Sequence, residues 1–326
     1  MSDQMNYRAA ISRALADAMA ADDRVILIGE DVGAAGGAFK STAGLFDRFG
    51  PERVRDTPIS EQAIVGTAFG AAVMGLRPVA EIMFADFAGV CFDQIANQVA
   101  KHRYMTGGQV TVPLTIRMAN GAGSGFAAQH SQAAENWFLN IPGLKIAVPA
   151  TVEDLYGLTR SAIEDDNPVL VFEHKNLFSI KGTVNPGAPP VPLGSAAVVR
   201  DGADVTVVAT QQMRHRGVQA AERLAAEGID VALIDPRTLV PFDHATVIDS
   251  LRRTSRLVVV QEAPEAGGWG ASLISKITRE HWDLLDAPPV LVATPDTPVP
   301  YAGELEAAWL PDAEGIAAEI RKVVAY

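Results

Sequence analysis

Short, unbroken runs of valine, isoleucine and leucine recur along this chain, each followed by a longer stretch of helical period. "RVILIGEDV", "RPVAEIMF", "VPLTIRMAN", "LKIAVPA" and "PVLVFEHK" read as strands. "AIVGTAFGAAVMGL", "FDQIANQVAKHRYMTGG" and "TVEDLYGLTRSAIEDDN" read as helices between them, with Thr151 placed to cap the last. Strands that are apolar on both faces and alternate with helices specify a parallel sheet covered on both sides. The alternation stops at "KGTVNPGAPPVPLGS", residues 181–195, which holds four prolines and almost no charge and has the composition of a linker. It then restarts with the strands "DVTVVAT", "DVALIDPRTL", "RLVVVQEA" and "PPVLVAT", each beside a helical stretch. The expected fold is α/β: two three-layer domains with mainly parallel sheets, residues 1–180 and 195–326, joined by a linker at 181–194.

A length of 326 residues suits two such domains, and 48% hydrophobic with 20% charged residues supplies the cores. A formal charge of −12 excludes the broad basic surface of a nucleic-acid binder. No apolar run reaches the length of a membrane span, and the N-terminal stretch reads as an amphipathic helix rather than a secretory leader. The single cysteine, Cys91, rules out an internal disulfide and a cysteine-rich zinc site, and its apolar surroundings read as a buried structural thiol. These features together lead to the expectation of a soluble cytoplasmic protein.

Glu61 is the first candidate. It opens the run "EQAIVGTAFGAAVMG", whose only polar residue between Ala63 and Leu76 is Thr67, so the helix is expected to be buried nearly all round. Two readings are open. Ser60 and Glu61 can form an ordinary helix start, with the acid favoured by the helix dipole. Alternatively, a carboxylate at a buried helix mouth needs a partner, and a single unit of pKa displacement already represents about 1.4 kcal/mol. Such a group is suited to exchanging a proton with a heteroaromatic nitrogen.

His130 follows three glycines, Gly121, Gly123 and Gly125, at the end of a strand, where ligands of parallel sheets bind. It reads either as a satisfied loop histidine or as a proton donor and acceptor near a pocket. "GAGSGF" begins like a dinucleotide fingerprint, but its sixth position is Phe126 and no long helix follows. Phe87, just beyond the strand "RPVAEIM", is either core or a ring that stacks on a planar ligand. No pair of histidines has metal-ligand spacing, and no Walker phosphate loop is present.

Taken together, "DTPISE", "GAAVMGLRPVAEIMFADF", "DQIANQVAKHRYMTGG", "AAQHSQ", "PGLKIAVPAT", "DPRTLVPFD" and "DTPVPYAGELEAAWLPD" closely resemble one family over nearly the whole chain. It is the beta subunit of the thiamine-diphosphate-dependent decarboxylating component of 2-oxo acid dehydrogenase complexes, whose members act on pyruvate, branched-chain 2-oxo acids or acetoin. The resemblance implies a pyrimidine-binding domain followed by a transketolase C-terminal-like domain. It implies that Glu61 hydrogen-bonds a ring nitrogen of the cofactor's aminopyrimidine, that Phe87 packs on that ring, and that His130 assists proton transfer and acylation of the lipoyl group. It further implies a potassium ion held by main-chain carbonyls of Leu114, Ala162, Asp165 and Asn167.

The G-D-G pattern with a distant asparagine that holds magnesium and diphosphate is absent from this chain. The resemblance assigns it to an alpha subunit, so thiamine diphosphate and its magnesium are expected to be shared with that partner in an α₂β₂ heterotetramer. The acyl acceptor implied is the lipoyl domain of a dihydrolipoyl acyltransferase. "MFADFAG" and "FEHKN" lean toward acetoin-type or branched-chain relatives. Two rivals of other classes stay open: an NAD-dependent oxidoreductase using "GAGSGF", and a non-catalytic scaffold subunit.

Overall fold

A computed structural model describes residues 3–326. The chain divides into two compact units: one comprises the residues up to Asn120 together with Trp137–Leu193, the other Gly121–Asn136 and Gly194–Tyr326. The glycine-rich segment carrying His130 therefore belongs to the second unit.

The first unit begins with β1 (Asp3–Asn6), α1 (Tyr7–Ala21), β2 (Val25–Gly29), α2 (Leu45–Phe49) and β3 (Val54–Asp56). It continues with α3 (Glu61–Val73), β4 (Arg77–Ile82), α4 (His102–Met105) and β5 (Thr115–Asn120). After the excursion it closes with β6 (Lys145–Ala147), α5 (Val152–Glu164), β7 (Val169–His174) and β8 (Lys181–Val184). Six strands lie in the order β6-β7-β5-β4-β2-β3, and every pairing among them is parallel. The non-sequential order requires crossovers, which the helices supply. Helices α1 and α5 cover one face through Tyr7, Ile11, Leu15, Leu155 and Tyr156, packed on Leu27, Val54 and Val79. Each such side chain withdrawn from water contributes about 1.5–3 kcal/mol. Thr151 caps α5 as expected, its side chain accepting from the Asp154 N–H at 3.0 Å. β1 and β8 form a separate antiparallel pair, so the first residues of the proline-rich stretch belong to a strand.

The second unit contains β9 (Ala197–Arg200), β10 (Val205–Ala209), α6 (Gln211–Ala225), β11 (Val231–Asp235) and β12 (Thr238–Val240). It ends with α7 (His244–Thr254), β13 (Leu257–Val260), α8 (Trp269–Glu280), β14 (Val290–Val292), α9 (Gly303–Trp309) and α10 (Ala313–Val324). Its sheet runs β14-β13-β10-β11-β9, parallel except for the antiparallel edge strand β9. Val207, Leu233, Val258, Leu224 and Ile316 meet in its core. No helix among the described residues is long and apolar enough to cross a membrane.

Two expectations are corrected here. The helix after Glu61 is not buried all round: Gln62, Ala63 and Thr67 are exposed, and Met74 beyond its end is 84% exposed. Its apolar content exceeds what this chain's own packing uses. The stretch read as one long helix at 92–108 is broken into a π-helical turn, Gln94–Val99, and the short α4. There the Ala100 N–H reaches back five residues to the Ile95 carbonyl at 3.0 Å.

The widened turn is matched by Gly143, which has φ +106° and leaves no room for a Cβ beside the Ala100 carbonyl oxygen. Gly143→Ala should cost about 2–5 kcal/mol from overlap and left-handed strain together. Gly44→Ala, at φ +80° with open space around it, should cost only about 1–2 kcal/mol. Denaturant unfolding of the two variants checks the ranking.

Candidate active site

Because β2, β3 and β4 are parallel, their carboxyl ends share one edge of the sheet, the place where such sheets bind ligands. β2 delivers Glu30 there, β3 leads through Thr57 to Glu61 at the first turn of α3, and β4 leads to Phe84 and Phe87. Glu61 is 8% exposed, and its carboxylate makes no hydrogen bond or ion pair among the described residues. Ser60 occupies the capping position, but its side chain makes no capping bond. Its backbone is extended, at φ −165°. The helix start is thus not the closed, self-satisfied cap that one reading of the sequence offered.

Acidic groups crowd this edge. The Glu30 carboxyl is held above its ordinary value, first by burial and then by repulsion from Glu61, Asp31 and Glu81. Burial, reinforced by the Glu61 charge, pushes the Cys91 thiol up to about 12. Cys91 is therefore a protonated, structural residue at neutral pH, as its surroundings in the sequence suggested.

Phe87 lies in a short 3₁₀ turn, Ala85–Gly89, and is half-buried. Its ring stands 5.5 Å from that of Phe84, edge to face. Phe84 is in turn 5.3 Å from Phe39, and Phe39 5.2 Å from Phe178. The row fixes the Phe87 ring from behind, and the Lys175 ammonium lies 5.5 Å from the centre of Phe84.

Beneath the edge, three adjacent strands carry Glu81, Arg117 and Glu173: Glu81 lies directly opposite Arg117, and Glu173 lies two residues further along β7, opposite Ala119. Arg117 grips Glu173 with two parallel bonds of 2.8 and 2.7 Å, bonds Glu81, and reaches the Ser41 hydroxyl at 3.1 Å. All three charged residues are buried, and burial raises the carboxyls of Glu81 and Glu173 while Arg117 opposes that rise. Sequence reasoning missed this triad and Glu30. The available signal was a charged residue in each of three otherwise apolar strands, "RPVAEIM", "PLTIRMAN" and "PVLVFEHK".

In the second unit, the glycines before His130 bend with φ of +88°, +93° and +72° at Gly121, Gly123 and Gly125. Their N–H groups do not await a phosphate. The Ala122 N–H donates to Glu262 at 2.6 Å, and those of Gly123 and Gly125 donate to Glu306 at 2.7 and 3.0 Å. His130 itself is half-buried, further along the same segment. His174, the last residue of β7, is fully buried, and its Nδ1 accepts from the Asn176 N–H at 3.2 Å.

The four residues matched to a potassium site gather at the opposite, amino edge of the first sheet. The Leu114 carbonyl accepts from Val169 at 3.0 Å, and that of Asp165 accepts from Arg77 at 3.2 Å. The Asp165 side chain accepts from the backbone and amide of Asn167 at 2.8 and 2.9 Å. α5 ends without a capping bond, and the Ala162 carbonyl receives no described backbone N–H. The cations described at this edge are side chains of the chain itself: Arg77 donates to the Ile163 and Asp165 carbonyls, and Lys145 pairs with the Asp165 carboxylate.

Comparison with known proteins agrees with this architecture. Residues 3–181 match the transketolase pyrimidine-binding domain, and residues 194–316 match the transketolase C-terminal domain. The chain is 45% identical to the beta subunit of acetoin:2,6-dichlorophenolindophenol oxidoreductase from Cupriavidus necator, covering 99% of this chain and 98% of that one. It is 43% identical to the pyruvate dehydrogenase E1 component subunit beta of Rickettsia conorii, covering 99% of both. The Bacillus subtilis acetoin:2,6-dichlorophenolindophenol oxidoreductase subunit beta is 44% identical over 94% of this chain and 93% of its own length. Among solved structures, a split-gene transketolase in an inactive β4 tetramer superposes with TM-score 0.83 at 24% identity, covering 98% of this chain and 99% of that one.

The raised Glu30 carboxyl gives a signed pH dependence. The folded chain binds this proton more tightly than the unfolded chain, so the associated stability is full at low pH and falls as pH rises through the folded value. Glu30→Gln should therefore be more stable than wild type at about pH 7.5, with the difference vanishing toward about pH 4. Thermal unfolding of both proteins across that range tests the sign.

Proposed function

Because this chain belongs to the family of pyruvate and acetoin dehydrogenase E1 beta subunits, built on the transketolase pyrimidine-binding and C-terminal domains, we propose that it provides half of a thiamine-diphosphate site. The proposed reaction is oxidative decarboxylation of pyruvate or a related 2-oxo acid, with acyl transfer to the lipoyl domain of a dihydrolipoyl acyltransferase. The observation that carries this reading is Glu61, a buried carboxylate with no donor among the described residues, at the strand-end edge of the pyrimidine-binding domain.

When bound, thiamine diphosphate supplies the nucleophilic carbon and the electron sink. Glu61 would hold and exchange a proton at a ring nitrogen of the aminopyrimidine, and burial would keep water from competing for that bond. Phe87, backed by Phe84, would stack on the same ring. His130 would carry protons near neutral pH in the acyl-transfer step. An alpha subunit would contribute the magnesium and diphosphate ligands in an α₂β₂ assembly, and the exposed Ile59 and Met74 on either side of α3 support the presence of such a partner. The protonated, unpaired Cys91 supports a cytoplasmic location. Potassium at Leu114, Ala162, Asp165 and Asn167 would brace the far edge of the sheet. A second reading, acetoin as substrate, is supported by the relative that is 45% identical.

Co-expression with an alpha subunit, followed by assay on pyruvate, branched-chain 2-oxo acids and acetoin, tests the reading and separates the substrates. Glu61→Gln should assemble normally and lose at least about 10²-fold in decarboxylation, because an amide cannot exchange the proton. Full activity would leave only a scaffold role. His130→Ala should slow lipoyl acylation more than decarboxylation; equal loss of both refutes that division. Replacing potassium by sodium should lower the unfolding temperature of the first unit, as followed by calorimetry.

A further inference from the structure

We propose that Glu306, assisted by Glu262, is a positioning residue for His130: it supplies from within the chain the anion that the glycine loop is shaped to bind. This rests on His130 acting in the reaction.

The loop binds anions through its backbone. Gly121, Gly123 and Gly125 have left-handed φ, and the N–H groups of Ala122, Gly123 and Gly125 each meet a carboxylate, as backbone nests elsewhere receive phosphates and other anions. Here the occupants are carboxylates of this chain. Glu306, 3% exposed on α9, takes the Gly123 and Gly125 N–H groups on its two oxygens. Glu262, 8% exposed just beyond β13, takes that of Ala122. Charged acceptors make such bonds stronger than neutral ones, and burial strengthens them further.

Packing reinforces the clamp. Ala122 is buried against Val299, Trp309 and Leu310, and the Trp309 indole N–H is held by Thr297 at 3.1 Å. At the far end of the segment, the Asn136 side-chain oxygen accepts from the Trp269 N–H at 2.9 Å. The segment bearing His130 is thus pinned on both sides to elements of the second unit. Three glycines by themselves would leave it free to move.

A purely space-filling Glu306 and a charge-clamping one differ in what replaces them. In the alpha–beta assembly, Glu306→Gln keeps the shape but loses one acceptor and the charge, while Glu306→Ala opens the cradle. Both should raise hydrogen exchange at amides 122–125, read by mass spectrometry. Both should also lower kcat for lipoyl acylation, by up to about 10²-fold for the alanine variant, with the KM for the 2-oxo acid little changed. Added formate should refill the opened cradle and recover part of the acylation rate in Glu306→Ala but not in His130→Ala. Leu305→Ser, a neighbour that is 61% exposed, should change neither readout.

Unchanged amide exchange in both Glu306 variants overturns the clamp. Increased exchange with unchanged acylation overturns the positioning role. Loss of acylation that formate does not relieve in Glu306→Ala, together with loss of fold in that variant but not in Glu306→Gln, reduces Glu306 to a packing residue. If His130→Ala acylates normally, the histidine reading falls, and the exchange data alone then decide the clamp.

Discussion

Glu61 is 8% exposed at the edge of a parallel sheet, and its carboxylate meets no donor among the described residues. Buried carboxylates are ordinarily answered by a hydrogen bond or a cation. Glu30, whose carboxyl is raised by burial and then by repulsion from Glu61, adds a second acid to the same edge. The proposed function places a donor from outside the chain at this point: an aminopyrimidine ring, offering a nitrogen that shares a proton.

The same chain shows two other ways of keeping a carboxylate inside. Glu81 and Glu173 are answered by Arg117 from the strand between theirs, with no need of any ligand. Glu262 and Glu306 are answered by backbone N–H groups of the glycine loop. Set beside these, the lack of a partner at Glu61 is not a general looseness of buried acids in this protein. Removing Arg117 would strand two acids at once, which ties the central strands to a single cation.

Much of the fold was legible. Alternation of apolar strands with helices gave both parallel sheets, because side-chain period and strand length are local properties. The antiparallel strand β9, the pair β1–β8 and the short α9 were missed, since each is too short or too polar to declare itself. The π-helical turn at 94–99 was also hidden: it depends on the close approach of Gly143, more than forty positions away. The helix after Glu61 misled in an informative way. Composition reports that a face wants burial, not whether the same chain supplies the cover.

Site residues followed a similar rule. Glu61 and Phe87 could be placed at the carboxyl edge of the first sheet because a strand end next to an apolar helix start is visible in sequence. Glu306 could not: it sits in "YAGELEAAW", far from the loop it holds, and reads there as one more acid on a solvated helix. The glycine loop began like a dinucleotide fingerprint, and Phe126 at the sixth position with no long helix after it already spoke against that reading. The structure fills the loop with internal acids: Glu306 takes the N–H groups of Gly123 and Gly125, and Glu262 that of Ala122. N–H groups bound to the protein's own carboxylates are not offered to a pyrophosphate, so backbone geometry and sequence spacing argue in the same direction.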